Sequence, residues 1–137
     1  MRSRTSPPFN LHGNSMYPLL NSQDELELNY FNYPVPIEEL NRGDIVLLRD
    51  QEEWILHRVV KGAQSKGDWN NQVDGSLKAW ARLQRINGLS ADFMESNYLS
   101  FLSEQVHQKN KTPIRRSFRL LLWLSAKILR YYKMRRL

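Results

Sequence analysis

Two blocks of this sequence carry side chains able to do acyl-transfer chemistry. Ser15 stands in Gly13-Asn14-Ser15-Met16-Tyr17-Pro18-Leu19-Leu20, and His57 stands in Leu56-His57-Arg58-Val59-Val60, which follows Gly43-Asp44-Ile45-Val46. A serine hydroxyl is a poor nucleophile near neutral pH and needs a neighbour that removes its proton as attack proceeds. Histidine suits that task, because its unperturbed pKa of about 6.5 lies close to working pH and the same ring can return the proton to a leaving amine. Only one ring nitrogen can face the serine. A carboxylate on the other nitrogen therefore fixes the tautomer and steadies the imidazolium.

Taken singly these pieces are common: serine precedes methionine often, and a Gly-Asp pair entering a β-branched run is an ordinary turn. Their order and spacing from about Phe9 to about Ile86 resemble the signal peptidase I superfamily of serine peptidases, which also contains the self-cleaving repressor proteases. The resemblance implies a coiled β-sheet fold, with the Ser-x-Met-x-Pro box placing the nucleophile at Ser15. It places the general base at His57, as in the endoplasmic-reticulum and archaeal variants, where most bacterial members carry lysine. The segment Lys66-Gly67-Asp68-Trp69-Asn70-Asn71-Gln72-Val73-Asp74 is similar to the Lys-Gly-Asp-x-Asn segment of those variants. Asp68 and Asp74 are both candidates for the acid that orients His57. Met16, Pro18 and Leu19 are expected to shape the strand and line the substrate cleft.

Each residue has a plainer reading. Ser15 after Gly13-Asn14 is a natural turn or cap residue, and Asp68 and Asp74 among glycine and asparagine often form Asx turns. A histidine in the apolar run Trp54 to Val60 is usually a satisfied, half-buried side chain. His12 is three residues from Ser15, which on an extended strand puts the two on opposite faces; His107 has no comparable context. Lys61 and Lys66 are read as solvated loop residues, outside the superfamily's base position.

The composition fits one small catalytic unit with an appendage. The chain has 137 residues, enough to bury a core, and no cysteine, so neither disulfides nor thiolate metal sites are available. Three scattered histidines lack metal-ligand spacing, and neither metal nor cofactor is expected. Strands are predicted over Phe9–His12, Glu25–Phe31, Asp44–Leu48, Glu53–Val60 and Leu77–Ile86, from alternation, β-branched content and bounding turn residues. Glu25-Leu26-Glu27-Leu28 alternates but contains good helix formers. Pro34 to Asn41 reads as a connecting turn with Ile37 and Leu40 pinned to the core. Short strands joined by turns point to a mainly β fold, a folded-over barrel or sandwich over residues 1–89.

From Ser90 the pattern becomes helical. Ser90-Ala91-Asp92 reads as a helix start, followed by Phe93, Met94, Asn97, Tyr98, Phe101, Leu102 and Val106 at helical spacing. After a polar break, a second helix is expected over about 114–134. Its cations Arg115, Arg116, Arg119, Lys127, Arg130 and Lys133 project to one side. Phe118, Leu121, Leu122, Leu124, Ile128, Leu129 and Tyr132 project to the other. Residues 111–137 hold 9 Lys or Arg and no acid, against 11 basic and 14 acidic residues before them, so the net charge of +6 divides into a tail of +9 and a body of −3. The apolar run Leu120 to Leu124 is far shorter than the roughly 20 residues a bilayer span needs. The helix therefore either lies on an anionic membrane surface or packs on the β domain or a partner. No reading motif for nucleic acid accompanies the charge, and no nucleic-acid partner is expected.

Met1 to Asn14 is polar and lacks the apolar stretch of a signal peptide or anchor. The expectation is a cytoplasmic serine endopeptidase, held at most peripherally at the membrane, that removes a leader from a specific peptide or protein precursor. The alternative is a non-catalytic peptide-binding or membrane-docking module on the same fold.

Overall fold

The computed structural model describes residues 2–5, 16–17, 19–21, 23–50, 53–62, 64–68, 74, 77–106 and 113–134. Seven strands form one antiparallel sheet: β1 (Arg2–Thr5), β2 (Leu26–Pro36), β3 (Ile45–Asp50), β4 (Glu53–Val60), β5 (Gln64–Lys66), β6 (Lys78–Ile86) and β7 (Leu89–Ser90). Two helices follow, α1 (Asn97–Gln105) and α2 (Pro113–Met134). The strand order is β1-β2-β6-β3-β4-β5, with β7 a short hairpin partner of β6. Among the described residues the sheet is open, ending in β1 and β5, where a closed barrel was one expectation.

β3 and β4 are buried on both faces, which explains their near-continuous apolar sequences. Ile45, Leu47 and Leu56 point into a large core shared with Met16, Leu19, Leu20, Leu99 and Leu122. Val46, Leu48 and Val59 point the other way, into a smaller cluster with Ile37 and Ala79. On β6, Leu47 pairs with Ala81 but Leu48 with Ala79, so Trp80 is the extra residue of a bulge. That bulge sends Ala81 into the large core and Ala79 into the small one.

Several expected boundaries move for identifiable reasons. β2 continues through Pro34 to Pro36, where a turn was predicted; the ladder jumps from Tyr30↔Ala81 to Val35↔Ala79, leaving Pro34 outside the regular pairing that its missing N–H could not serve. The turn proper is the short 3-10 segment Ile37–Glu39, with Ile37 buried as anticipated. The alternating residues after Asp24 are strand, not helix. β1 was not anticipated, since Arg2-Ser3-Arg4-Thr5 shows no apolar alternation.

α1 begins later than predicted. Ser90 caps only a 3-10 turn over Ala91–Met94, and Ser96 is the true helix cap, accepting from the Leu99 N–H at 3.2 Å. The interruption has a cause: the Met94 carbonyl, which a continuous helix would use internally, accepts instead from the Arg58 guanidinium at 2.6 Å. Close by, Gly43 has φ +101°, and a Cβ there would sit 2.6 Å from the Glu95 carbonyl oxygen. Only glycine fits that approach.

α2 starts at Pro113, as suits a residue with no N–H to leave unsatisfied. Leu122 and Ala126 are buried in the large core, with Phe118 and Leu129 packed against it. The helices thus share their core with the sheet.

Candidate functional site

Strand alternation sorts the chemistry of this chain into two groups. Successive residues on β4 face opposite ways, and β4–β5 pairing sets Arg58 opposite Lys66 and Val59 opposite Ser65. His57 and Ser65 consequently lie on the side of the small cluster. Arg58 and Lys66 lie on the side of the large core and the helices.

On the first side, His57 Nδ1 is 2.5 Å from Asp74 Oδ2. The Ser65 hydroxyl donates to the same Asp74 oxygen at 2.6 Å, and the Asp74 N–H donates to the Ser65 carbonyl at 2.7 Å. The imidazole is 6% and the carboxylate 17% exposed, so the pair sits at the edge of solvent, not sealed in the core. An ionised carboxylate only accepts, so Nδ1 is the nitrogen that donates to Asp74. In the neutral ring that is the tautomer a general base requires.

On the other side, Arg58 and Asp68 form a fully buried, two-pronged ion pair, Nε to Oδ1 at 2.7 Å and a terminal nitrogen to Oδ2 at 2.9 Å. Arg58 also reaches the carbonyls of Met94 and Gly43. Asp68 is thereby committed to Arg58. Between the two aspartates that the sequence left open, it is Asp74 that contacts His57. The expectation that Lys66 is a solvated loop residue is corrected: it ends β5 fully buried, its Nζ donating to the carbonyls of Gly67 and Asp68 at 2.8 and 3.3 Å. Burial lowers its pKa to about 8, with the Asp68 carboxylate opposing the shift. Lys61 lies exposed in the turn after β4.

Ser15, Pro18, His12 and His107 lie outside the described residues. Met16, Tyr17, Leu19 and Leu20, which follow Ser15, are described. The N–H groups of Leu19 and Leu20 both donate to the Met16 carbonyl, making a tight turn. Met16 is 1% exposed in the large core and anchors the segment from within. Helix α2 holds the same segment from outside. Trp123 donates from its indole to the Tyr17 hydroxyl at 3.0 Å, and Arg130 donates to the Leu19 carbonyl at 2.7 Å and to both Asp24 oxygens at 2.8 and 3.0 Å. Arg130, expected among the cations on one side of the helix, is part-buried against the body.

A second charged cluster supports the junction with α1. Arg82 pairs with Glu95 at 2.8 Å and lies 3.2 Å from Asp44. Burial lifts the Glu95 carboxyl to about 7; Arg82 offsets part of that rise and the neighbouring Asp44 adds to it.

Ser65, Arg58 and the burial of Lys66 escaped the sequence reading. A signal for Arg58 existed: a cation inside the run Leu56 to Val60 of a doubly buried strand requires a buried acid. Nothing comparable marked Ser65. Among the described residues, no group of three or more His, Cys, Asp or Glu side chains converges as a metal site would, and no helix is long and apolar enough to cross a membrane. No protein-family model, curated protein or solved structure matches the chain.

Proposed function

We propose that this chain is a serine endopeptidase that removes a leader or signal-like segment from a peptide or protein precursor. The carrying observation is the oriented pair His57 Nδ1 to Asp74 Oδ2, braced by Ser65, with a buried imidazole beside a carboxylate that reaches solvent. A general base needs this arrangement, a ring held by a carboxylate on the nitrogen that faces away from the nucleophile. The resemblance of the Ser-x-Met-x-Pro box at Ser15 and of the segment Lys66 to Asp74 to signal-peptidase sequences supports the choice of nucleophile. It also supports reading the open antiparallel sheet as the coiled sheet of that superfamily.

In the proposed mechanism the Ser15 hydroxyl attacks the scissile carbonyl while His57 Nε2 takes its proton, and Asp74 stabilises the resulting imidazolium. The tetrahedral oxyanion is held by the backbone N–H of Ser15. Collapse breaks the C–N bond, His57 gives the proton to the departing amine, and an acyl-enzyme remains on Ser15. Water, deprotonated by His57, then attacks the ester, releasing the acid and restoring the serine. Asp68 and Arg58 stay outside this cycle and hold β4 against the turn after Met94.

The test is digestion of a proteome-derived peptide library, read by mass spectrometry, with wild type, Ser15→Ala and His57→Ala. The proposal expects a set of new termini from wild type that both variants lack. New termini in equal amounts from all three, or none from wild type, would remove it.

A further inference from the structure

The outward face of α2 is apolar, the reverse of what docking normally leaves in water. Leu120, Leu121, Leu124, Ile128, Tyr131 and Tyr132 are between 41 and 69% exposed. At about 100° per residue they share roughly one third of the helix circumference, and among the side chains described on that arc none is charged. The stripe continues onto α1. Tyr98 and Phe101 are 53 and 45% exposed, Tyr98 bonds Ser125, and Phe101 meets Phe118 edge to face. Contiguous exposed apolar surface of this kind marks a docking site.

We infer that this α2–α1 face seats the protein on an anionic lipid bilayer surface, independently of whether the His57 site is catalytic. Charge complementarity selects the occupant. The 27-residue stretch 111–137 carries 9 cations and no acid, while the rest of the chain is net negative. A second copy docked on the same face would bring two such stretches together with no acid within either, Asp24 of each body having taken up its Arg130. Anionic headgroups offset them directly. Lys127 is exposed at the border of the stripe, its ammonium 5.6 Å from the Tyr17 ring centroid and 5.8 Å from that of Trp123, and aromatic groups of this kind favour the headgroup level. The helix lies in the interface and does not span it, for among the described residues no helix is long and apolar enough to cross.

The test is co-sedimentation of the full chain with vesicles of phosphatidylcholine alone or mixed with phosphatidylglycerol. Wild type should partition onto the mixed vesicles, less so at high salt, and weakly onto phosphatidylcholine alone. The double variant Leu124→Glu/Ile128→Glu, altered only at exposed positions, should bind the mixed vesicles at least about tenfold more weakly. Leu124→Ser/Ile128→Ser gives the same reading without added charge if the glutamates disturb folding, as judged by thermal melting. Unchanged binding by folded variants, or no preference of wild type for anionic vesicles, overturns the proposal. So does a wild-type dimer in light scattering that either variant dissociates, since the occupant would then be a second copy.

Discussion

Asp68→Asn and Asp74→Asn should have opposite consequences, although both remove one carboxylate beside one cation-capable partner. Asp68 and Arg58 are each wholly buried and meet through two hydrogen bonds of 2.7 and 2.9 Å. Neutralising Asp68 keeps its shape but strands the guanidinium of Arg58 in the core. Breaking a buried pair from one side costs about 3 to 5 kcal/mol, a large share of the roughly 5 to 15 kcal/mol by which domains are stable. For a chain of this length that lowers the melting temperature by about 10 to 15 °C. Asp74 is part-exposed, and an asparagine there still accepts from Ser65, so the loss should be about 1 to 2 kcal/mol. If the proposed mechanism holds, the large effect of Asp74→Asn is on cleavage: with the carboxylate gone the imidazole loses its fixed tautomer, and cleavage should fall by about 10,000-fold. Thermal and urea melts beside a cleavage assay separate the two. The double variant Arg58→Met/Asp68→Leu, which buries no charge, should recover most of the stability that Asp68→Asn loses. Asp68→Asn melting like wild type, or an inactive Asp68→Asn beside an active Asp74→Asn, would refute the division of labour.

Other outcomes follow from the same geometry. Ser65→Ala should cut turnover by about ten- to a hundredfold through a loosened Asp74 while leaving KM and the melting temperature nearly unchanged, and Ser65→Thr, which keeps the hydroxyl, should restore it. Arg130→Ala should cost about 3 kcal/mol by leaving Asp24, itself 3% exposed, without its cation; turnover should fall too, because the turn after Ser15 loses its outer support. Folded Glu95 holds its proton up to about pH 7 and an unfolded glutamate only to about 4.5. The native state therefore binds the extra proton between those values, and this contribution is full below 4.5 and lost as pH rises through 7. Lys66 has the opposite sense: the folded chain releases its proton near 8 and the unfolded chain near 10.5, so stability climbs across that interval. Urea melts against pH should show the acid-side decline vanish in Glu95→Gln and the alkaline climb vanish in Lys66→Met; slopes unchanged in those variants would contradict the assignments.

The parts of the structure that announce themselves in sequence are those whose neighbours are local or whose pattern has one cause. Glu53–Val60 is a strand with the bounds its composition suggested, and α2 follows its 3.6-residue periodicity from Pro113 to Met134. The parts that do not announce themselves depend on distant partners. The helix start moved from Ser90 to Ser96 because Arg58, 36 positions before Met94, takes a carbonyl the helix needed. Lys66 looked like a loop lysine because nothing nearby in sequence reveals that β5 completes a buried sheet edge. Arg130 turned inward because Asp24 and the Leu19 carbonyl lie beneath it, and a helical projection alone cannot tell which of two faces a body will cover. Asp68 and Asp74 could not be separated by spacing alone. Their separation came from which face of β4 and β5 each one meets.

The proposed mechanism requires Ser15 to meet the His57 imidazole, and that requirement has a direct test that needs no substrate. The chain contains no cysteine, so Ser15→Cys creates a single thiol whose ionisation can be followed by the pH dependence of its alkylation. A thiol paired with His57 should titrate well below the free value of about 8.5, and return to it when His57→Ala is added. A thiol at position 15 that titrates near 8.5 whether or not the imidazole is present would contradict the account.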